Sequence, residues 1–544
     1  MTTFDFQGAP MHRDSFGNRL SIAGTWFHDE ARDEMGLLEL CASRGIDAVV
    51  RGLAGFFVLA YFDARAGEAA IVTDLTGSCH AFVRELAGGT VVSTSSLELA
   101  GRSPAAIDSL AVEEYLRTGV IYEDRTLFRE VRKLAPATIY RIAGGRIAER
   151  RRYWRMEEIA PDEIASGAAA ERLAAALTDA AGRIGEAFAA PLCDLTGGWD
   201  SRAIAAAFLR AGVAFDATVS GPAESADVAI ARRLAARAGV SLHHLEPDAP
   251  PRPAQIAEAV ALTDGEYDPI EYARIVAIHR ATVGRFDISV NGSYGELARG
   301  YWWELLGPGA GRPRPIDARS LAAKRYLPRT ESPDLFPPGA GRDLPAHLAA
   351  VLERAATAPL DTAQQDQTYL EVRMQRWQGR IASATHRIRP CLSPFLLRPV
   401  LEAALRTPPR LRRNNRLMRE VIARLRPDFA AEPLESGAPA LPLTLRTWPR
   451  FLPALGALAA KVGRRFAPPA ASASARLLLH RDEWTAALLD PATMRLGALL
   501  DRAGLAAFLA ASRRPGFAFD AQWNRVLGLE IALRSLEKDG RPER

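Results

Sequence analysis

Residues 192–202 read Leu-Cys-Asp-Leu-Thr-Gly-Gly-Trp-Asp-Ser-Arg, an apolar run that meets a glycine pair, an acid and a serine just before a helix. These residue types at this spacing make a site for a phosphate or pyrophosphate anion. Gly197 and Gly198 carry no Cβ, so the backbone can turn tightly and bring N–H groups to phosphate oxygens. The helix expected from Arg202 adds its positive N-terminal end, so donors and charge point the same way. Ser201 offers a hydroxyl donor, and Asp200 supplies a carboxylate for Mg²⁺. No Gly-Lys-Ser/Thr comes after it, so the spacing is not the Walker form. A glycine pair before a helix is ordinary turn chemistry by itself; the whole run from Thr196 to Ser201 carries the inference.

The elements that must position this loop alternate in type. An alanine-rich helix is expected over residues 168–188, a strand over 191–195 and a helix from Arg202 to about Leu209. Next come a strand over 215–220, a helix capped by Ser225 and stopped at Gly239, and strands over 240–245 and 286–290, the last ending in Asn291-Gly292. Such alternation implies a parallel sheet, and ligands collect at the C-terminal strand ends, where Thr196, Val219 and Asn291 stand. Before Trp154 the rhythm differs, with short strands over 56–62, 69–73, 81–86 and 90–94 separated by turns. Residues 53–62 are apolar throughout and should be buried on both faces. Residues 305–345, rich in Gly, Pro and Arg, read as a surface loop or insertion. From about 346 helices dominate, interrupted near Pro408-Pro409 and over 468–473.

Composition narrows the classes. With 544 residues, 48% hydrophobic and 24% charged, the chain can build two or three full cores and is no disordered protein. A formal charge of +5 is too small for this length to argue for nucleic acid. Basic side chains are almost all arginine, with lysine only at Lys133, Lys324, Lys461 and Lys538. Cys41, Cys79, Cys193 and Cys391 lie far apart, which suggests neither zinc nor disulfides and fits a reducing cytoplasm. The first 30 residues lack the apolar core of a signal peptide, and the longest apolar run is too short to span a bilayer. Residues 451–462 could touch a membrane surface, although a packed core helix is the simpler account.

The whole chain resembles the class B asparagine synthetase family, which includes β-lactam synthetases and lasso peptide cyclases. Residues 53–63 are similar to the family's glycine-phenylalanine strand, and Arg125-Thr126-Leu127-Phe128, Lys133-Leu134 and Tyr153-Trp154 to the segment closing its N-terminal half. Residues 196–202 match its pyrophosphate loop, and Ser225-Ala226-Asp227 with His243-His244 match its next strand, helix and strand. Pro394-Phe395-Leu396, Pro408-Pro409 and Arg419-Glu420 fall in the order of the family's helical end. The resemblance implies an α/β plus α+β chain in two domains. Residues 1–155 would form a degenerate glutaminase-like, β-rich domain of the N-terminal-nucleophile type, and residues 165–544 a synthetase domain with an adenine-nucleotide α-hydrolase-like parallel sheet.

It further implies ATP bound by Thr196, Gly197, Gly198, Asp200 and Ser201 with adenine near Val219, and Mg²⁺ on Asp200. The second metal ligand of the family is an Asp in Gly-x-Gly-x-Asp-Glu; here Gly292-Ser293-Tyr294-Gly295-Glu296 is shorter, and Glu296 is the candidate substitute. The family's Glu-x-Arg-x-Pro-Phe becomes Pro390-Cys391-Leu392-Ser393-Pro394-Phe395. Its catalytic lysine becomes Asn415, which leaves Arg416 and Arg419 as candidates to stabilise the acyl-adenylate. The family's glutaminase uses an N-terminal cysteine; position 2 here is Thr2, and too few residues precede the strand at 53 to hold glutamine-recognition loops, so that activity is expected to be lost. The function implied is an ATP-dependent amide-forming ligase acting on a small-molecule or peptide carboxylate. Expected company is a second copy of the chain or a protein of the same biosynthetic cluster, with no nucleic acid and no stable membrane insertion. Two alternatives stand beside it: an RNA-modifying enzyme with the same loop, and a non-catalytic nucleotide-binding scaffold.

Overall fold

The structure, a computed structural model, describes residues 2–246, 250–327, 331–332, 335–341, 343–452 and 475–539. The chain opens with strands β1 (Thr3–Asp5), β2 (His12–Arg13) and β3 (Arg19–His28), then helices α1 (Glu34–Arg44) and α2 (Ile46–Gly52). After them come strands β4 (Leu53–Asp63), β5 (Glu68–Thr73), β6 (Phe82–Leu86) and β7 (Gly89–Ser93), with helices α3 (Ser96–Gly101) and α4 (Ser109–Thr118). Strands β8 (Arg132–Lys133), β9 (Thr138–Ala143) and β10 (Arg146–Arg152) complete this half. Six strands pair antiparallel in the order β10-β9-β5-β4-β3-β2, and a second sheet runs β1-β7-β6-β8.

The alternation of β4 explains the layering. Phe57, Leu59 and Tyr61 pack on α1 and α2, while Phe56, Val58 and Ala60 face Val83 and Val92 of the second sheet. Residues 53–62 are therefore covered on both faces, as their unbroken apolarity requires. The outer face of the second sheet carries Phe82 and Val91 against Leu99 and Tyr115 of α3 and α4. Helices and sheets thus stack in four layers.

The second half begins with α5 (Ser166–Ala187), whose alanine stripe packs on the helix after the next strand. Strand β11 (Pro191–Asp194) leads into α6 (Asp200–Ala211), and β12 (Asp216–Ser220) into α7 (Ala226–Ala238). The ends of α7 obey the sequence signals: Ser225 accepts from Val228 N–H, and Gly239 is left-handed. Strand β13 (Leu242–Leu245), helices α8 (Pro253–Thr263) and α9 (Pro269–Thr282), and strands β14 (Ile288–Val290) and β15 (Cys391–Leu392) finish a five-stranded sheet. All its pairs are parallel and the order is β13-β12-β11-β14-β15. The first strand lies between the second and the fourth, so the connections diverge there and open a crevice at the strand ends. The second half also holds helices α10 (Trp377–His386), α11 (Arg416–Leu425) and α12 (Asp520–Asp539).

The expectation of a surface loop over 305–345 agrees with residues 310–317, which hold no helix or strand and are mostly exposed, and is corrected beyond them. Its described part holds a helix at Ala318–Leu321 and then a π-helical turn, and Tyr326, Leu335 and Phe336 are buried, because the apolar residues among the prolines and glycines have a core to enter. Most of residues 451–462, and all of 468–473 with Lys461, lie outside the described residues.

The halves share a core. Trp523, Val526 and Leu527 of α12 pack with Leu99, Tyr115 and Leu116 of the first half. Beside them Arg380 is buried between Asp264, at 3.0 Å, and Glu266, while Asp264 also accepts from Ser95 Oγ at 2.7 Å and Ser96 N–H at 2.9 Å. A fragment of residues 160–544 would expose both the apolar face of α12 and this buried charge cluster. Expressed alone, it should be insoluble or aggregated; a soluble monomer by size-exclusion chromatography would show that the first half is dispensable.

Candidate functional site

The loop between β11 and α6 sits at the crevice of the parallel sheet. Thr196 N–H donates to Ser201 Oγ at 3.1 Å, and the two hydroxyls are 2.9 Å apart. Gly198 N–H donates to Thr196 Oγ1 at 3.2 Å, so these bonds fold the loop over the start of the helix. Gly197 N–H is taken by a carboxylate, Asp227 Oδ1 at 2.8 Å, from the first turn of α7. A Cβ at Gly197 would fall 2.8 Å from that same oxygen. No side chain caps α6, in contrast to α7 and α9, so no side-chain acceptor takes its first N–H groups.

Arginines frame the loop. Arg202, wholly buried, donates to Phe429 O at 2.9 Å, Glu432 O at 2.6 Å and Pro433 O at 3.0 Å, which ties α6 to the helical end. Burial pushes its guanidinium down to about 10. Arg419 of α11 lies 4.8 Å from the ring centre of Trp199 and donates to Pro439 O at 2.8 Å and Leu441 O at 2.9 Å. Arg419 is therefore at the loop. Arg416 is not brought there: its side chain is 57% exposed and lies 3.8 Å from Glu420.

Asp200 and Glu296 do come together, with a third residue between them. Arg299 donates from Nε to Asp200 Oδ1 at 3.0 Å and from Nη2 to Oδ2 at 2.7 Å, and it lies 3.8 Å from Glu296. Glu296 Oε2 is buried without a partner. The carboxyl of Asp200 is raised to about 6, chiefly by burial, with Arg299 pulling down and Glu296 pushing up. Glycines allow this approach: a Cβ at Gly292 would fall 2.7 Å from Ser201 N, and one at Gly295 2.5 Å from Asp200 Cγ. Between them Tyr294 holds a left-handed backbone, φ 70°, and its hydroxyl lies 2.7 Å from Ser78 Oγ of the first half.

A Mg²⁺ ion takes oxygen ligands in near-octahedral geometry. Here both oxygens of Asp200 are given to Arg299, one oxygen of Glu296 is free, and no cluster of three metal-ligating side chains exists among the described residues. As folded, the pair does not fit the ion: a guanidinium stands where a cation would.

Beside the loop is a cavity of about 350 Å³ lined by Thr196, Val219 and Asn291, with Asp194, Glu271 and Trp377. The strand ends and helices α9 and α10 form its walls. Burial pushes the carboxyl of Asp194 up to about 7, against a weaker downward pull from Arg389. Burial raises Glu271 as well and lowers His279, also on the wall, to about 4, so the cavity favours neutral groups.

Arg299, Asp227, Arg202 and Asp194 were not singled out for these roles by the sequence. Arg299 had one signal, its position three residues after Glu296.

The geometry leads to two expectations. Replacing Arg299 by Gln should open the Asp200–Glu296 pair to a divalent cation, read as Mn²⁺ uptake by electron paramagnetic resonance, with none taken up by the wild type without nucleotide. Wild-type uptake abolished by Asp200→Asn would contradict it. Separately, a carboxyl raised in the folded state binds its proton more tightly there, so Asp194 should make stability fall as pH rises from about 4 to about 7. Asp194→Asn should exceed the wild type at pH 8 by on the order of a few kcal/mol in urea unfolding, the gap closing toward pH 4.

Residues 13–154 match the family model described as "Glutamine amidotransferase domain", about a quarter of the chain and nearly all of the two-sheet half. No curated protein matches the chain at a significant level.

Proposed function

We propose that this protein is an asparagine-synthetase-like, ATP-dependent amide ligase. The observation that carries the reading is the Thr196–Ser201 loop, which ends the first strand at the crevice of the parallel sheet, leads into an uncapped helix and borders a cavity of about 350 Å³. The amidotransferase-type first half supports the same family setting. In the proposed reaction a substrate carboxylate oxygen attacks the α-phosphorus of ATP and the bond to pyrophosphate breaks. An amine then attacks the acyl-adenylate, loses a proton and releases AMP. The leaving pyrophosphate would lie on the loop and the N-terminus of α6. Arg299 keeps three N–H donors after its two bonds to Asp200, enough to reach a phosphate oxygen as well. Adenine would enter the cavity by Val219.

The amine would come from the substrate. All four cysteines are buried, and burial raises Cys41 and Cys391 to about 12 and Cys79 and Cys193 well above the usual thiol value. None can serve as the thiolate that glutamine hydrolysis needs. A second reading, nucleotide binding without catalysis, is favoured by Gly197 N–H and Asp200 already having internal partners.

The deciding measurement is ATP–pyrophosphate exchange with a panel of carboxylates and peptides. Exchange by the wild type, lost about a hundredfold or more in Asp200→Asn because Arg299 loses the carboxylate that aims it at the phosphate, with circular dichroism unchanged, is expected. Tight ATP binding with no exchange on any substrate would favour the second reading, and exchange at the wild-type rate in Asp200→Asn would remove the site. Ammonia release from glutamine should be absent.

A further inference from the structure

Away from the loop, a cavity of about 260 Å³ lies between the first half and the C-terminal helices, with Arg117, Arg325, Arg373 and Arg525 on its wall. Two of these charges are met. Arg117 pairs with Glu113 and Glu331, and Arg325 with Glu304. The other two are not. Arg373 has no carboxylate partner among the described residues; its guanidinium stands 5.2 Å from the ring centres of Trp302 and of Trp377. Among the described residues Arg525 donates only to neutral carbonyls, Leu116 O and Arg117 O, each at 3.1 Å.

Unsatisfied polar atoms gather on the same wall. Gln522, 5% exposed in the first turn of α12, accepts from Ser332 N–H at 3.0 Å but leaves its Nε2 without a partner. Arg325 Nε is a second buried donor without a partner, and Glu331 Oε2 a buried acceptor without one. Buried polar groups are nearly always paired, and each exception is costly. Three exceptions and two guanidiniums without a salt-bridge partner among the described residues, around one cavity, mark a place built for something absent from the chain itself.

We propose that this cavity binds a small oxyanion, a phosphate or carboxylate group with a hydrogen-bond donor beside it. The oxyanion would be held by Arg373, Arg525 and Gln522, and the neighbouring donor by Glu331. Arg373 also packs on Trp377, which lines the cavity beside the loop, so the two sites share a wall.

The test is isothermal titration calorimetry on the full chain, with inorganic phosphate in one arm and malate, a carboxylate with an adjacent hydroxyl, in the other, at ionic strength fixed by chloride. Saturable binding of at least one probe is expected. Gln522→Glu keeps the oxygen that accepts from Ser332 and places a carboxylate in the cavity; Arg373→Gln removes a charge. Each should weaken binding about tenfold or more, while Arg373→Lys retains most of it. Saturable phosphate with silent malate identifies a phosphate site, and the reverse a carboxylate site. No saturable binding of either probe, or binding undiminished in both Gln522→Glu and Arg373→Gln, overturns the proposal.

Discussion

The candidate site depends on one close approach, that of the first turn of α6 to the segment from Gly292 to Glu296. Strands β11 and β14 are neighbours in the sheet, so the loops leaving their ends meet across the crevice. The backbones come so near that a Cβ at Gly292 or Gly295 would overlap Ser201 N or Asp200 Cγ. That contact half-buries Asp200 and Glu296 together. Two carboxylates in a poorly hydrated place require a cation or a proton, and the chain supplies the first through Arg299 and part of the second through the raised carboxyl of Asp200.

The amidotransferase-type half holds that contact in place rather than standing apart from it. Ser78 reaches Tyr294, the one residue between the two close glycines with a left-handed backbone, and such a backbone persists only where its surroundings hold it. Arg380, Asp264 and the Ser95–Ser96 turn lock the halves together again some distance away. The core formed by α3, α4 and α12 then makes the end of the chain part of the first half's packing.

Arginine fixes much of this architecture. Its planar fork satisfies several carbonyls at once, as Arg202 does for the segment from Phe429 to Pro433, and it stacks on indole rings, as Arg419 does on Trp199 and Arg373 on two tryptophans. In a chain with four lysines these guanidiniums are the means by which loops without regular structure are fixed to helices.

Much was legible in the residues alone. The apolar run at 53–62, the caps at Ser225 and Gly239, the strand that leads into Thr196 and the glycine-rich turn before α6 all come from local chemistry: apolar periodicity, side-chain capping and freedom of the backbone. These needed no knowledge of distant contacts. The short edge strands β1, β2, β8 and β15 are hidden because two or three residues carry no periodicity, and so are the helical turns from Ala318 on, because their few apolar residues are sparse among prolines and glycines. The electrostatic partners escaped for a different reason. That Arg299 would answer Asp200, that Asp227 would take Gly197 N–H and that Arg416 would face solvent while Arg419 stacked on Trp199 depend on which surfaces the fold brings within a few ångströms. Sequence therefore determined the local conformations; only the tertiary structure decided which charges meet, because Coulombic and hydrogen-bonding partners are set by distance in space and burial, not by separation along the chain.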